Sequence, residues 1–184
     1  RRSSDLMEDM GNDLKFQWYP IGDIVRQAVR KYSQIFILKK IHLNFQDSRQ
    51  MVLTDEKWLL FVIEQVLSNA LKYTSSDEIR PLKAQGMGSL DGDTEKGCIS
   101  IYIKGTELVV EDTGIGIAPE DLPRIFERGF TGYNGREHQK STGIGLYLCK
   151  TIIQKLGHSI RAQSRVGVGT KIYISLERED VKFE

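Results

Sequence analysis

The chain has 184 residues, 40 % of them hydrophobic, which is enough for one domain with a proper core and cramped for a second. Its 26 basic and 25 acidic side chains are mixed along the chain and leave a formal charge of +1, so no basic stripe points to a nucleic-acid partner. Cys98 and Cys149 lack CxxC spacing, which argues against a disulfide framework or a zinc site and suits a reducing compartment, and no apolar run approaches the roughly 18 residues of a membrane span.

Taken in chain order, Leu6, Met10 and Leu14 fall four apart around Gly11, which predicts the last turns of an amphipathic helix over residues 1–13. "LKFQWYPI" reads as a short strand closed by Pro20. "IGDIVRQAVRKYSQIFILKK" then sets Ile21, Ile24, Val25, Ala28, Val29 and Tyr32 on one helical stripe. "IHLNFQ" alternates Ile41, Leu43 and Phe45 like a half-buried strand, "MVLT" is a second short strand, and Thr54 or Asp55 caps the helix "DEKWLLFVIEQVLSNALKY". Residues 75–97 are polar, glycine-rich and without periodicity, the signature of a long exposed loop. "CISIYIKG" and "TELVVEDT" predict a hairpin around Lys104 and Gly105, and "IGLYLCKTIIQKLG" a helix ended by Gly157. "HSIRAQSR" and "TKIYISLE", joined by "VGVG", supply the last two strands. The expected fold is α/β (α+β): a two-layer sandwich in which about three helices cover one face of a mixed, mostly antiparallel sheet.

Three stretches carry residues suited to chemistry. In "VVEDTGIGI" Asp112 stands where the strand runs out, and Gly114 and Gly116 strip side chains from the turn. A carboxylate there accepts hydrogen bonds from an exocyclic amine, while bare N–H groups serve an acceptor, a pairing that adenine satisfies; an ordinary Asp-Thr-Gly turn explains the same letters. In "STGIGLYLCK" Gly143 and Gly145 sit before and at a helix start, where free N–H groups and the helix dipole attract phosphate, or where glycine merely caps the helix. Leu148 occupies the place of the third glycine of a dinucleotide fingerprint, and no Gly-Lys-Ser/Thr follows as in a P-loop. In "EQVLSNALKYTS" Ile63, Val66, Leu67, Ala70 and Leu71 form a buried stripe, and Gln65, Asn69, Lys72 and Tyr73 share a polar edge. That edge is either solvated or functional; Asn69 is a poor helix former whose amide oxygen suits a hydrated Mg²⁺, Lys72 suits a phosphate and Tyr73 a base.

In this order the stretches resemble the nucleotide site of the ATPase superfamily of gyrase, heat-shock chaperones and histidine kinases. The histidine-kinase version matches best: "NALKYT" is similar to its N box, "EDTGIGI" to its first glycine box, "IFERGF" to its phenylalanine box, "STGIGLYL" to its second glycine box and "VGVGTKI" to its last, over residues 14–176. The resemblance implies that Asn69 ligates Mg²⁺ and Asp112 accepts from the adenine amine. It further implies that Gly114, Gly116, Ile117, Thr142, Gly143, Gly145 and Leu146 shape the nucleotide pocket beside Lys72 and Tyr73, and that Thr170 assists Asp112 through water. Glu64 matches the N-box acid, implied to orient Mg²⁺ or the acceptor, although its offset of five residues from Asn69 turns it to another helical face. "RGFTGYNGREHQKS" resembles the mobile ATP lid, about residues 127–142, with Arg128, Arg136 and Lys140 meeting the triphosphate and Phe126 and Phe130 anchoring its base. The wording "GFTGYNGR" with "STGIGLYLCK" is similar to that of the peptide-antibiotic-sensing kinases of Gram-positive bacteria.

The implied activity is transfer of the γ-phosphoryl of Mg·ATP to a histidine on a dimerisation domain, and onward to an aspartate of a response regulator. None of His42, His138 and His158 is followed by the acidic residue, or has the long-helix setting, of the family's acceptor imidazole. Residues 1–13 are therefore expected to be the tail of a dimerisation or linker helix and residues 14–180 the catalytic domain. The fragment is expected to be a monomer, the cytoplasmic part of a homodimeric, membrane-anchored bacterial parent. Its expected partners are ATP, the phosphoacceptor domain of that parent and a response regulator. An ATP-hydrolysing clamp of the gyrase or mismatch-repair type, with Glu64 activating water, is the alternative; the short lid weighs against it.

Overall fold

The computed structural model describes residues 5, 8, 10, 13–74, 97–131 and 145–179. The loop expected over 75–97 and the lid expected over 127–142 therefore fall mostly outside the described residues. The described elements run β1 (Gln17–Pro20), α1 (Ile21–Leu38), β2 (His42–Phe45), β3 (Met51–Thr54), α2 (Glu56–Tyr73), β4 (Cys98–Lys104), β5 (Glu107–Asp112), a short 3₁₀ turn (Leu122–Arg124), α3 (Gly145–Lys155), β6 (Ile160–Arg165) and β7 (Gly169–Ser175).

Five strands form one sheet in the order β2-β4-β5-β7-β6, with β2 parallel to β4 and the other neighbours antiparallel. The two short strands do not join it: β1 pairs antiparallel with β3 in a separate ribbon, from Gln17 opposite Thr54 to Pro20 opposite Met51. Pro20, which has no N–H to give a central ladder, closes β1 and caps α1 at once. The hairpin between β4 and β5 turns one residue later than expected, at Gly105 and Thr106, because Lys104 still pairs with Glu107.

Alternation along the strands stacks side chains in rows on the face turned to the helices. Ile103, Leu108, Ile174 and Ile160 make one row, and Ile101, Val110, Ile172 and Ala162 the next. A third row continues the same face with Ile99, Asp112, Thr170 and Ser164, so the apolar floor becomes polar at one end of the sheet.

Helix α2 packs between α1 and α3 over this floor. It buries Leu59, Val62, Ile63, Val66 and Leu67, each contributing about 1.5–3 kcal/mol of hydrophobic stabilisation. Asp55 is its N-cap: Oδ1 accepts from the Trp58 N–H at 3.2 Å and Oδ2 from the Lys15 N–H at 2.8 Å, so one buried carboxylate starts the helix and fastens the chain before β1. At the end of α3, the His158 N–H reaches back to the Ile153 carbonyl and the Gly157 N–H to Gln154, the bonding that lets a glycine close a helix. Met10, from the expected leading helix, is buried in the same core.

Candidate functional site

The polar end of the sheet floor opens into a cleft of about 550 Å³ bounded by α2, the turn after β5 and the start of α3. Gln65, Asn69, Lys72 and Tyr73 face it from α2, as their spacing on one helical edge predicts. Lys72 Nζ lies 5.3 Å from the centre of the Tyr73 ring, so charge and aromatic face arrive together. Asp112 and Thr170 form the floor, Gly116 and Ile117 one wall, and Gly145 and Leu146 bring the first turn of α3 to the opposite side.

Hydrogen bonds fix the floor. Asp112 Oδ1 accepts from the Gly114 N–H at 2.8 Å and from the Thr170 N–H at 3.3 Å, which orients the carboxylate across the end of β5 and β7. Thr170 thus meets Asp112 through its backbone N–H, while its hydroxyl lies 2.8 Å from the Ser164 hydroxyl. Ser164 also accepts from the Ile117 N–H at 2.8 Å and donates to the Gly169 carbonyl at 2.9 Å, tying the glycine turn to the β6–β7 hairpin.

The glycines of that turn serve packing as well as the cleft. Gly114 is not among the residues facing the cleft; a Cβ there would overlap the carbonyl of Tyr73, whose oxygen accepts from the Ile115 N–H at 3.2 Å. Gly116 does face it, with φ of +76° and the backbone of Arg165 and Val166 where a Cβ would stand. Bare backbone is therefore required at Gly114 by the end of α2 and at Gly116 by both a left-handed turn and the strand beside it.

Several expected site residues stand elsewhere. Glu64 is turned to α1, where Oε2 pairs with Lys31 Nζ at 2.7 Å, and is not among the cleft residues. Arg128 is exposed and away from the cleft, whereas Phe130, expected only as an anchor, faces into it beneath the Arg124 guanidinium at 4.6 Å. Phe126 packs against the core as an anchor would. Arg136, Lys140, Thr142 and Gly143 lie outside the described residues.

The sequence reading missed Tyr32 and Ile35, from the second half of α1, and Lys39, which caps its end. Lys39 Nζ donates to the carbonyls of Leu71 and Thr74, capping the end of α2 just beside Lys72 and Tyr73, and burial pulls its pKa below the ordinary lysine value. A lysine following an amphipathic helix carries no sign in the sequence that it faces another helix's end.

Residues 54–180 match the family described as histidine kinase-, DNA gyrase B-, and HSP90-like ATPase. The chain belongs to this family. Among curated proteins, it is 33 % identical over 175 residues to the sensor histidine kinase YxdK of Bacillus subtilis, covering 93 % of this chain and 48 % of the relative. It is 35 % identical over 161 residues to the sensor protein BceS of the same organism, covering 86 % and 43 %, and 34 % identical over 176 residues to the sensor histidine kinase GraS of Staphylococcus epidermidis, covering 95 % and 46 %. The chain thus spans about half the length of the curated relatives it matches. The fold is that of the catalytic domain of the histidine kinase ThkA, with a TM-score of 0.66 at 19 % identity over 89 % of this chain and 96 % of that one. A mycobacterial sensor histidine kinase, MprB, superimposes with a TM-score of 0.65 at 22 % identity over 87 % and 97 %.

Proposed function

We propose that this chain is the ATP-binding catalytic part of a sensor histidine kinase, which passes the γ-phosphoryl group of Mg·ATP to a histidine on a dimerisation domain, for relay to a response-regulator aspartate. The observation that carries this reading is the meeting of an Asn-bearing helix edge, an acidic strand end and a glycine-started helix in one cleft. Its kinship to YxdK, BceS and GraS favours a kinase over a gyrase-type clamp, and so does the engagement of Glu64 with Lys31 instead of the cleft.

In this reading Asp112 accepts from the adenine amine, and Tyr73 and Ile117 flank the base. Lys72 and the N–H groups at the start of α3 offer positive charge to the phosphates. Asn69 and Gln65 offer neutral amide oxygens in the cleft, hard donors of the kind that hold Mg²⁺ together with phosphate and water. Mg²⁺ supplies neutralisation of charge on the transferring phosphoryl group. The chain's own contribution is position and electrostatics, which is most of what phosphoryl transfer asks of a protein.

The acceptor lies on another domain in this reading. His158 is 4 % exposed and paired with Thr54, and His42 sits on the edge strand β2 without a carboxylate beside it in sequence. The parent is proposed to be a membrane-anchored dimer with this domain on the cytoplasmic side. The test is incubation with γ-labelled ATP, alone and with the parent's separately expressed dimerisation domain. Label should move to the acceptor histidine with negligible hydrolysis by this chain alone; steady hydrolysis without an acceptor would move the reading to a clamp ATPase.

A further inference from the structure

Ser164 lies at the edge of the cleft floor, directly opposite Thr170 in the β6–β7 pairing, and its single hydroxyl has three neighbours. The Gly169 carbonyl, 2.9 Å away, is an acceptor and takes the only proton that Ser164 can give. The Ile117 N–H, 2.8 Å away, is a donor and takes one lone pair. The Thr170 hydroxyl, at 2.8 Å, must then be the donor in its contact with Ser164. With its proton committed to Ser164, Thr170 shows the cleft only lone pairs, beside an Asp112 carboxylate that likewise only accepts.

We propose that Ser164 is a positioning residue that makes the site selective for adenine over guanine, by fixing the Thr170 hydroxyl as an acceptor. This inference rests on the nucleotide reading above and deepens it. A floor built from two acceptors suits a purine whose C6 substituent is an amine. Guanine in the same seat turns its O6 carbonyl toward those lone pairs, with no donor to meet it, and an unmet buried acceptor weakens binding. Without Ser164 the Thr170 hydroxyl is free to rotate and donate to O6.

The experiment is calorimetric titration of the 184-residue chain with Mg·ATP and Mg·GTP, in parallel with thermal melts, for the unsubstituted protein, Ser164→Ala, Thr170→Val and the double variant. The ratio of ATP to GTP affinity should fall roughly tenfold in Ser164→Ala, the effect of one misdirected hydrogen bond, and stay unchanged in Ser164→Thr, which keeps the hydroxyl. In the Thr170→Val background, Ser164→Ala should leave the ratio where it is, because the hydroxyl through which Ser164 acts is gone. A merely structural serine would weaken both nucleotides alike and leave the ratio intact, which overturns the inference; so does a further fall of the ratio in the double variant. Ser164→Cys, which keeps the volume with only a weak acceptor, should give the same shift if the Ala variant does not fold. Failure of the unsubstituted chain to bind ATP removes the nucleotide reading and this inference with it, whereas ATP binding with an insensitive ratio removes the inference alone.

Discussion

At the scale of single residues, Asp112 does two separable things. Its Oδ1 holds the Gly114 and Thr170 N–H groups, and its charge is offered to the cleft. Asp112→Asn keeps an oxygen for both N–H groups and removes the charge, so the melting temperature should move little while ATP affinity falls roughly tenfold or more, the weight of a charge-assisted hydrogen bond. Calorimetry beside a thermal melt separates the two, and unchanged affinity would contradict the seat assigned to adenine. The sequence marked Asp112 as a carboxylate at a strand end, Asn69 as a poor helix former in a helix and Gly116 as bare backbone in a turn, and the structure places all three along the cleft. It did not mark Ser164. The alternation in "IRAQSR" does put Ser164 on the face of Ile160 and Ala162, but its place beside Thr170 depends on the register set by the Val166–Val168 turn.

At the scale of elements, the apolar stripes of α1 and α2 and the alternation of the strands were legible because burial on one side imposes a period. The stripe Ile63, Val66, Leu67, Ala70 and Leu71 is buried throughout. What period does not carry is which short strand pairs with which, so the separate β1–β3 ribbon escaped it, as did the reach of Lys39 to the end of α2. The joint between α3 and that ribbon is His158, whose Nε2 lies 3.1 Å from Thr54 Oγ1 and whose Nδ1 lies 3.5 Å from the Glu177 carbonyl. Burial lowers its pKa below the ordinary imidazole value of about 6.5, and the nearby Arg178 charge adds to that against the pull of the carbonyl. The unfolded chain then binds a proton near pH 6.5 that the folded chain refuses until lower pH, so this contribution to stability is complete above about 6.5 and is lost as the pH falls toward the folded value. His158→Gln should flatten that part of the stability-pH curve. Urea unfolding at about pH 7.5 and 5.5 would show it as a smaller loss on acidification than in the unsubstituted protein, and an equal loss would contradict the role given to His158.

At the scale of the whole molecule, near-neutral charge and one core bounded the problem without naming a ligand; the order of three separated motifs did more. Each alone admitted an ordinary structural reading, a turn, a helix cap or a solvated edge. The fold joins them because β5 and β7 end in Asp112 and Thr170 at the same side of the sheet on which α2 turns its polar edge and α3 begins. The central claim is that this meeting is a site for Mg·ATP that binds without turning over. It is tested most directly by titrating the chain with ATP and with GTP, each with and without Mg²⁺, while following phosphate release. Binding of ATP in preference to GTP, altered by Mg²⁺ and without appreciable release, is the result expected; no binding of ATP, or steady hydrolysis in the absence of any acceptor, would contradict it.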